Sequence, residues 1–301
     1  MTLQQLRYAV AIAEKSSISE AAASLFVAQP SLTKSLHSLE KEMGLMIFRR
    51  TSKGIAVTRE GEEFLGYARQ VIEQADLMEE KYGSLPSGKH RFCVSTQHYS
   101  FAVEAFVDLL RDYGGDTYDF RLRETQTYEI IEDVARLKSE VGILYLNHFN
   151  ETILRKTLRE NDLQFHLLFK AKPHVFLGSR NPLAGRPPVT LQDLSPYPRL
   201  SFEQGEYNSF YFSEEILSTE ECKKEILVRD RATLFNLLIG LNGYTISSGV
   251  INPDLNGDGI VSVPLDAEDT MEIGVIAKSH IVPGRFAQLY VDALQRHIPH
   301  S

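Results

Sequence analysis

Polar side chains that can hydrogen-bond to nucleic acid are concentrated between residues 29 and 37. They are Gln29, Ser31, Thr33, Lys34 and His37. A glutamine amide can bond an adenine edge at two points, a serine or threonine hydroxyl reaches bases or phosphates, and a lysine reaches phosphate or guanine. Such a set needs one rigid element to present it, so the surrounding sequence decides whether it can act as a DNA-contact surface.

Two helices are predicted upstream of this polar set. Thr2 is a good N-cap, and the apolar residues after it recur three and four positions apart, as on one face of a helix. A serine-rich break at residues 16–19 ends that helix. We expect Ser19 to cap a short second helix over residues 20–25 and to lie at the DNA surface, with a tight turn at residues 26–28.

The polar set itself falls on a third predicted helix. Pro30 stands near its first position, where a missing N–H costs nothing, and Gly44 is a suitable residue just past its end. One face is apolar and carries Leu32, Leu36, Leu39 and Met43. Two short helices joined by a tight turn, the second starting with small polar residues, favour a helix-turn-helix that places this third helix in the major groove.

A basic hairpin is predicted after the third helix. Residues 47–50 and 55–57 read as two short strands around a turn that contains Gly54. The hairpin carries three cations, Arg49, Arg50 and Lys53. A wing of this kind meets the phosphate backbone or the minor groove, although each cation alone is also explained as a solvated surface charge.

Residues 59–82 are predicted to form one long helix. Thr58 is a good N-cap, and apolar residues recur three and four positions apart along the segment. The helix would be about 36 Å long, too long for a 58-residue module to cover, so a dimerising helix pair is favoured over an intramolecular packing face. The predicted dimer contacts are Leu65, Ala68, Val71, Ile72, Ala75 and Met78. Residues 83–88, rich in Gly and Ser, are predicted to be a hinge.

Beyond the hinge the pattern changes to short apolar runs that alternate with helical segments. Alternation of this kind predicts a mainly parallel β-sheet covered by helices. One of the helical segments is predicted at residues 210–216. In such folds small ligands bind where strand ends and helix N-termini meet.

Polar residues follow most of these predicted strands and outline a ligand-binding cleft. The group that follows the first three strands is Ser95, Thr96, Gln97, His98, Thr125, Thr127, Tyr145 and Asn147. The group that follows the later strands is Ser201, Glu203, Gln204, Asp230, Arg231, Ser247 and Ser248. Helix capping or turn formation is the alternative role for any one of them. Glu203 together with an anion site at a helix start would suit a zwitterion such as an amino acid.

The first 65 residues resemble the DNA-binding domain of the LysR family of bacterial transcriptional regulators. The similarity runs through residues 6–8, 22–23, 29–31, 39–40 and 47–50. It implies that the operator contacts include Gln29, Pro30, Ser31, Thr33 and Lys34. Two positions depart from the usual pattern, because Ala28 replaces a frequent capping serine and Lys34 a frequent arginine. The second departure weakens the case for a bidentate guanine contact.

The resemblance also implies an architecture and a set of partners for the whole chain. The expected fold is α+β and multidomain, with a winged helix-turn-helix at 1–58, a linker helix and hinge at 59–88, and a two-lobed α/β effector-binding domain, similar to periplasmic binding proteins, at 89–301. Lobe 1 is expected to hold about residues 89–148 and 268–301, and lobe 2 about residues 149–267. The expected partners are a double-stranded operator, a small-molecule effector, further copies of the chain as a dimer or tetramer, and RNA polymerase, with no cofactor and no metal.

Parts of the C-terminal region are similar to one branch of that family. The stretches STQHYSFAVEAFV and DRATLFNLLIGLNGYTI are similar to firmicute regulators of methionine and sulfur amino-acid uptake. This similarity implies an amino acid or a sulfur metabolite as the effector. Ligand binding is expected to close the two lobes, act through the hinge and change the spacing of the paired recognition helices.

Composition and charge fit a cytoplasmic regulator. Of the 301 residues, 43% are hydrophobic and 24% are charged, as in ordinary globular proteins. The absence of a long apolar run or a signal-peptide pattern argues against a membrane or secreted destination. The two cysteines lie far apart, as expected for a reducing compartment. Residues 1–58 carry a net charge of +3 and the remainder −11, which suits local contact with phosphates.

Two other functional classes are disfavoured by the motifs. An enzyme on an α/β scaffold would need a nucleophile elbow, a phosphate-binding loop or a metal set, and the sequence has none of these patterns. Residues 254–259 begin like a calcium-binding loop, but the twelfth position is Leu265 where a glutamate is required. A solute-binding protein would need a signal peptide and would not carry residues 1–88.

Overall fold

The chain folds into two compact units in the computed structural model, which describes residues 1–51, 54–82, 90–115, 117–207, 209–252 and 256–299. The first unit spans residues 1–89 together with 136–138, and the second unit contains the remaining residues. The hinge predicted at residues 83–88 and the turn at residues 254–255 lie outside the described residues.

The first unit contains a helix-turn-helix, a two-stranded hairpin and a long helix. Its elements are α1 (Leu3–Lys15), α2 (Ile18–Ser24), α3 (Gln29–Met43), β1 (Phe48–Thr51), β2 (Gly54–Val57) and α4 (Arg59–Tyr82). Strands β1 and β2 pair in antiparallel fashion. One apolar cluster, which includes Leu6, Ile12, Leu32, Leu39 and Leu65, packs the helices together.

Short-range capping explains where these helices begin and end. Thr2 and Gln5 form a reciprocal capping box at the start of α1. The backbone N–H of Gly61 donates to Oγ1 of Thr58 at 2.9 Å, so Thr58 caps α4 as predicted. Gly44 adopts φ = 68° just past α3, a conformation that glycine adopts without steric cost.

The predicted cap of α2 is wrong. The hydroxyl of Ser17 accepts the backbone N–H of Glu20 at 3.3 Å, and the helix starts at Ile18. Ser19 therefore lies inside the first turn, with an exposed side chain. Ala28 precedes α3 and offers no side-chain cap.

The second unit contains two five-stranded mixed sheets. In chain order its elements are β3 (His90–Thr96), α5 (Ser100–Tyr113), β4 (Tyr118–Glu124), α6 (Thr127–Ala135), β5 (Val141–Leu146), α7 (Glu151–Glu160), β6 (Leu163–Ala171), β7 (His174–Gly178), α8 (Leu191–Leu194), β8 (Arg199–Phe202), β9 (Glu225–Val228), α9 (Arg231–Leu241), β10 (Tyr244–Ser247), β11 (Ile260–Pro264), β12 (Met271–Lys278) and α10 (Arg285–Leu294). The strand orders are β4-β3-β5-β12-β6 in lobe 1 and β11-β7-β10-β8-β9 in lobe 2.

The predicted boundary between the lobes is wrong for residues 149–171. Strand β6 pairs along its length with β12, so it and the helix before it belong to lobe 1. Leu154 and Leu158 of α7 are buried in the same apolar cluster as strand β5. The chain therefore crosses to lobe 2 between β6 and β7, and it returns between β11 and β12 as predicted.

The helix predicted at residues 210–216 is also wrong. Only Phe210–Phe212 forms a short 3₁₀ turn, and the residues after it follow an irregular path. The segment between β8 and β9 thus approaches lobe 1 as loop and turn. An apolar cluster with members in both sheets, such as Val94, Ile143, Val175 and Ile246, packs beside it.

Candidate functional site

The exposed face of α3 carries the predicted DNA contacts. Gln29, Pro30, Ser31, Lys34 and His37 are exposed, and Thr33 is half-buried. Gln29, Pro30, Thr33, Lys34 and His37 line a shallow, open depression. Because the opposite face of α3 is buried in the apolar cluster of the first unit, the polar face is presented on a rigid support.

Two hydrogen bonds fix part of this face. The hydroxyl of Ser19 donates to Oε1 of Gln29 at 3.1 Å, which joins the start of α2 to the start of α3. The hydroxyl of Thr33 donates to the backbone carbonyl of Gln29 at 3.0 Å, a bond that hydroxyls commonly make within a helix. With Oε1 occupied, the amide N–H groups of Gln29 remain for a base or a phosphate.

The hairpin offers one described cation. Arg49 lies opposite Ala56 in the antiparallel pairing, and its side chain is exposed. The side chain of Arg50 and the whole of Lys53 lie outside the described residues. A wing with at least one exposed cation is therefore present beside the helix-turn-helix.

A buried carboxylate at the end of α3 fixes the base of the wing. Glu40 is 6% exposed, and its Oε1 accepts the backbone N–H groups of Ile47 at 2.9 Å and Phe48 at 3.2 Å. Bonds from two N–H groups to an ionised carboxylate are stronger than neutral ones. Glu40 thus holds the first strand of the wing at a set position against the recognition helix.

The predicted dimer contacts on α4 fall into two groups. Leu65 and Ala68 are 1% and 2% exposed in the apolar cluster of their own unit, so their prediction as dimer contacts is wrong. They are buried because α1 packs along α4. Among the described side chains of α4, the exposed apolar ones are Tyr67, Val71 and Met78, while Ile72 and Ala75 are half-buried.

The residues at the end of β3 hold lobe 1 together. The hydroxyl of Ser95 donates to Oδ2 of Asp133 at 2.8 Å. Gln97 donates through Nε2 to Oγ1 of Thr127 at 2.6 Å, and its Oε1 accepts the backbone N–H of Tyr145 at 3.2 Å. Ser95, Thr96 and Gln97 are all buried. Their side chains therefore serve the framework of the lobe.

His98 joins lobe 1 to Glu214 of lobe 2. Oε2 of Glu214 accepts the backbone N–H of His98 at 3.0 Å and lies 2.8 Å from its Nδ1. The imidazole stacks on the ring of Phe202, with 3.8 Å between centroids. Burial disfavours the charged imidazole, but the nearby carboxylates, Glu214 first among them, outweigh burial and raise the pKa of His98.

Three further contacts join the lobes. They are the N–H of Thr127 to Oε1 of Gln204 at 3.0 Å, the hydroxyl of Tyr145 to the carbonyl of Glu215 at 3.2 Å, and Nη2 of Arg231 to Oε1 of Glu124 at 3.1 Å. Two of the three partners from lobe 2 come from the segment between β8 and β9. The cleft is thus closed by side chains of the protein itself.

A small cavity of about 30 Å³ remains between these contacts. Glu215 lines it and is 4% exposed, and one of its carboxyl oxygens accepts the N–H of Phe202 at 2.8 Å. Burial, and then the negative charge of Glu214, raise the pKa of Glu215 to about 8. Glu215 therefore carries a proton at neutral pH.

The family of the chain follows from comparison with known proteins. Residues 3–62 match the bacterial regulatory helix-turn-helix protein of the lysR family, and residues 83–299 match the LysR substrate binding domain. The chain belongs to the LysR family. It is a LysR-type DNA-binding transcriptional regulator with an effector-binding domain, and the two matched regions correspond to the two sites described above.

Known LysR regulators that it resembles are distant relatives. The uncharacterized HTH-type transcriptional regulator YnfL of Escherichia coli is 28% identical over 67% of this chain and 65% of its own length. The HTH-type transcriptional regulator AlsR of Bacillus subtilis is 23% identical over 91% of this chain and 84% of its own. Full-length OxyR from Pseudomonas aeruginosa, solved as a variant, has the same fold, with a TM-score of 0.63 at 18% identity over 98% of this chain and 95% of that one.

Only part of the predicted effector set lines the cavity of this LysR regulator. His98, Arg231 and Ser247 do. The prediction that Glu203 supplies the acid of the cleft is not supported, since it pairs with Arg229 outside the cavity lining. Five more predicted residues lie outside the lining: Thr125 bonds Glu129, Asn147 bonds Asp269, Asp230 caps α9, and Ser201 and Ser248 are buried.

Sequence reasoning missed the residues that form most of the lining of the cleft. Glu214 and Glu215 fall in a predicted helix that does not form, and Phe202 and Phe235 are absent from the predicted site residues. One signal was available, because two adjacent acids stand between the apolar residues Phe212 and Ile216. Acids in an apolar setting indicate burial with a specific partner.

The described residues of the LysR regulator contain neither a cluster for a metal ion nor a membrane-spanning helix. Among the described residues, His, Cys, Asp and Glu side chains form no group of three that could hold a metal ion. Within the same part of the chain, every helix is too short or too polar to cross a bilayer.

Proposed function

We propose that this LysR regulator recognises its operator through the N-terminal half of α3, with the wing adding contacts to the DNA backbone. The observation that carries the proposal is the polar face of α3, where Gln29, Ser31 and Lys34 are exposed opposite a buried face made mainly of leucines. Glutamine and lysine at the start of such a helix reach base edges in the major groove. Arg49 is placed for phosphate contact.

The test begins with an operator selected by the full-length protein from a pool of random duplexes. Lys34→Ala should weaken binding about tenfold and reduce the slope of log affinity against log salt by about one, because one phosphate contact is lost. Lys15→Ala is the matched control, since Lys15 is an exposed lysine at the end of α1. Failure to enrich any sequence, or equal losses in the two variants, would contradict the proposal.

We also propose that the chain pairs with a second copy through the exposed face of α4. Tyr67, Val71 and Met78 are 40%, 47% and 63% exposed, and their spacing places them on one side of the helix. Pairing would supply the two-fold symmetry of operator half-sites. In sedimentation, Val71→Glu with Met78→Glu should give a monomer and Glu63→Gln should leave the assembly intact. An unchanged assembly in the double variant would rule out this face.

The effector of the interlobe cleft is proposed to be an amino acid or a related sulfur metabolite. The similarity of two stretches of the effector domain to regulators of sulfur amino-acid uptake supports this class, and so does a cavity lined by both cations and carboxyl groups. A bound effector would shift the balance between closed and open lobes and so change promoter activation, with RNA polymerase as the further partner.

A thermal-shift screen of the full chain with amino acids and sulfur metabolites tests the effector class. A ligand present at a hundred times its Kd stabilises the folded state by about 2.7 kcal/mol, which raises the unfolding temperature measurably. The hit should also change operator affinity. Stabilisation by none of these compounds would contradict the proposed class and leave the DNA-binding proposal intact.

A further inference from the structure

The segment between β8 and β9 starts and ends in lobe 2 but lies against lobe 1. We call its residues 204–207 and 209–215 the strap. Gln204 and Glu214, near the two ends of the strap, are buried. In its middle, the side chains of Tyr207, Phe210 and Tyr211 are exposed. The strap is therefore enclosed at its ends and open to solvent in its middle.

The two ends of the strap supply hydrogen-bond acceptors to lobe 1. Oε1 of Gln204 accepts the backbone N–H of Thr127 at 3.0 Å, and Oε2 of Glu214 accepts the backbone N–H of His98 at 3.0 Å. Thr127 is the first residue of α6, where backbone N–H groups have no partner within the helix. The strap thus provides lobe 1 with acceptors of the kind that a polar ligand would provide.

The middle of the strap contacts lobe 1 through aromatic rings. The ring of Tyr207 stacks on that of Tyr128 with 3.5 Å between centroids, and the ring of Tyr211 stacks on that of Phe149 with 4.8 Å between centroids. Phe212 packs against the apolar cluster that β5 and α7 share in lobe 1. Each ring pair is worth about twofold to tenfold in an equilibrium constant. The strap is therefore held by several contacts that are each weak.

A glycine lets the backbone of the strap approach lobe 1 closely. Gly205 has φ = 58°, a left-handed conformation that glycine adopts without steric cost. A Cβ atom at this position would lie 2.6 Å from Oε1 of Gln126, the residue before α6. The local shape of the strap therefore fits the surface of lobe 1.

The docked strap leaves too little room for an effector. The cavity between the lobes has a volume of about 30 Å³, which holds one or two water-sized groups. Glu214 and Glu215 of the strap form part of its lining, together with His98 of lobe 1. A molecule of the size of an amino acid fits only after the strap has moved.

We propose that the strap is an autoinhibitory gate of the effector cleft, which leaves lobe 1 as one unit before an effector enters. The inference rests on the proposed function of the cleft and adds how access to the cleft is regulated. An effector binds the form in which the strap is released and prevents its return. The apparent affinity for the effector is then set by the fraction of chains with a released strap.

Hydrogen exchange of the full-length protein, measured at single residues by mass spectrometry, tests whether the strap opens as one unit. The N–H groups of His98 and Thr127 are the reporters, because both donate to the strap. Tyr207→Ala with Tyr211→Ala removes two ring contacts in the middle of the strap. Exchange should become about tenfold faster at both reporters, because weaker contacts raise the population of the open form.

Neighbouring amides and a second tyrosine are the controls for this measurement. The N–H groups of Gln97 and Ile130 donate to carbonyls within lobe 1. Their exchange should not change, and it also reports whether lobe 1 of the double variant is folded. Tyr113→Ala removes an exposed tyrosine at the end of α5, outside the strap, and should leave all four amides as in the wild type.

Access to the cavity is measured by alkylation with iodoacetamide, a reagent larger than the groups that the cavity holds. Thr245→Cys places a thiol in the lining, because Thr245 is a buried residue there. Peptide mapping separates its product from those of the free cysteines Cys93 and Cys222. Adding the two tyrosine substitutions should speed alkylation at position 245 by about the same factor as exchange at His98.

A second variant weakens the strap without removing a ring. Gly205→Ala adds a Cβ close to Gln126 at a left-handed position and should also speed exchange at His98 and Thr127. Gly185→Ala, at a position of lobe 2 with open space around it, is the matched control.

Two results would overturn the gate and make the strap a fixed part of the interface between the lobes. One is unchanged exchange at His98 and Thr127 in both strap variants. The other is faster exchange without faster alkylation at position 245. Both measurements are made without an effector, so a failed thermal-shift screen would contradict the effector class and leave the gate standing.

Discussion

Polar side chains serve different purposes in the DNA-binding unit and in the effector unit. On α3 they are exposed and sit on an apolar support, with Ser19 and Gln29 joined by a bond between residues ten apart. In the cleft they are buried and bonded to one another across the lobes, as in the pair His98–Glu214, which is 116 residues apart.

This difference affects how each unit binds its ligand. The α3 surface needs no rearrangement to contact DNA, because its polar groups already face solvent. The cleft has its hydrogen bonds satisfied internally by Gln204 and Glu214, so an effector has to exchange protein–protein bonds for protein–ligand bonds. Affinity in the cleft is thus reduced by the free energy of opening.

The largest effect that we predict tests whether the first unit is stabilised by its own apolar packing. Leu65→Ala should destabilise it by about 3 kcal/mol, because a fully buried leucine leaves a cavity. Gln4→Ala, at an exposed position of α1 in the same unit, should change that stability by less than about 0.5 kcal/mol. Calorimetry of the full chain, with the first-unit transition assigned by hydrogen exchange, measures both. Similar losses in the two variants would mean that the packing of α4 against α1 does not set the stability of the first unit.

Most of the first unit could be predicted from sequence because its determinants are local. Thr2, Gly44 and Thr58 mark helix ends within a few residues of themselves, and the apolar spacing on α3 fixes which face is exposed. The predicted cap of α2 is two residues too late, because the break at residues 16–19 contains several serines that are equally suitable as N-caps. Leu65 and Ala68 of α4 were assigned to the dimer face because helical spacing identifies an apolar face but does not show whether the same chain or a second copy covers it.

Little of the cleft could be predicted, because its contacts are long-range. Strand β6 pairs with β12 across about a hundred residues, and that pairing decides which lobe α7 joins. The path of Glu214 and Glu215 depends on tertiary packing that suppresses a helix at residues 210–216. Polar residues after strands were correctly placed near the cleft, but whether each one faces a ligand or holds the framework is set by partners elsewhere in the chain.

A second prediction, of intermediate size, uses pH to separate the two units. Both the pKa of Glu215, raised from 4.5 to about 8, and the raised pKa of His98 mean that the folded effector unit holds its protons more tightly than the unfolded chain does. Its stability should therefore fall as pH rises from 6 to 8, by about 1 kcal/mol per pH unit. Glu215→Gln should remove most of this slope, whereas Glu203→Gln should keep it.

Calorimetric scans at several pH values supply the measurement, with the transition of the first unit in the same scan as the reference. A slope that survives in Glu215→Gln would show that the buried acid does not titrate as its surroundings indicate. The stability of the effector unit would then not depend on pH through Glu215, and pH would not distinguish it from the DNA-binding unit.

The smallest effect concerns the one internal bond that the DNA-contact face does have. Ser19→Ala removes the donor to Oε1 of Gln29, so the amide is free to turn and loses part of its preference for one base edge. We expect discrimination between the selected operator and a variant substituted at the Gln29 contact to fall about threefold, within the 0.5–1.5 kcal/mol of a typical hydrogen bond. Gln4→Ala, at an exposed position of α1, is the control. Unchanged discrimination in Ser19→Ala would mean that DNA orients the amide by itself, and the exposed surface would then need no internal support at all.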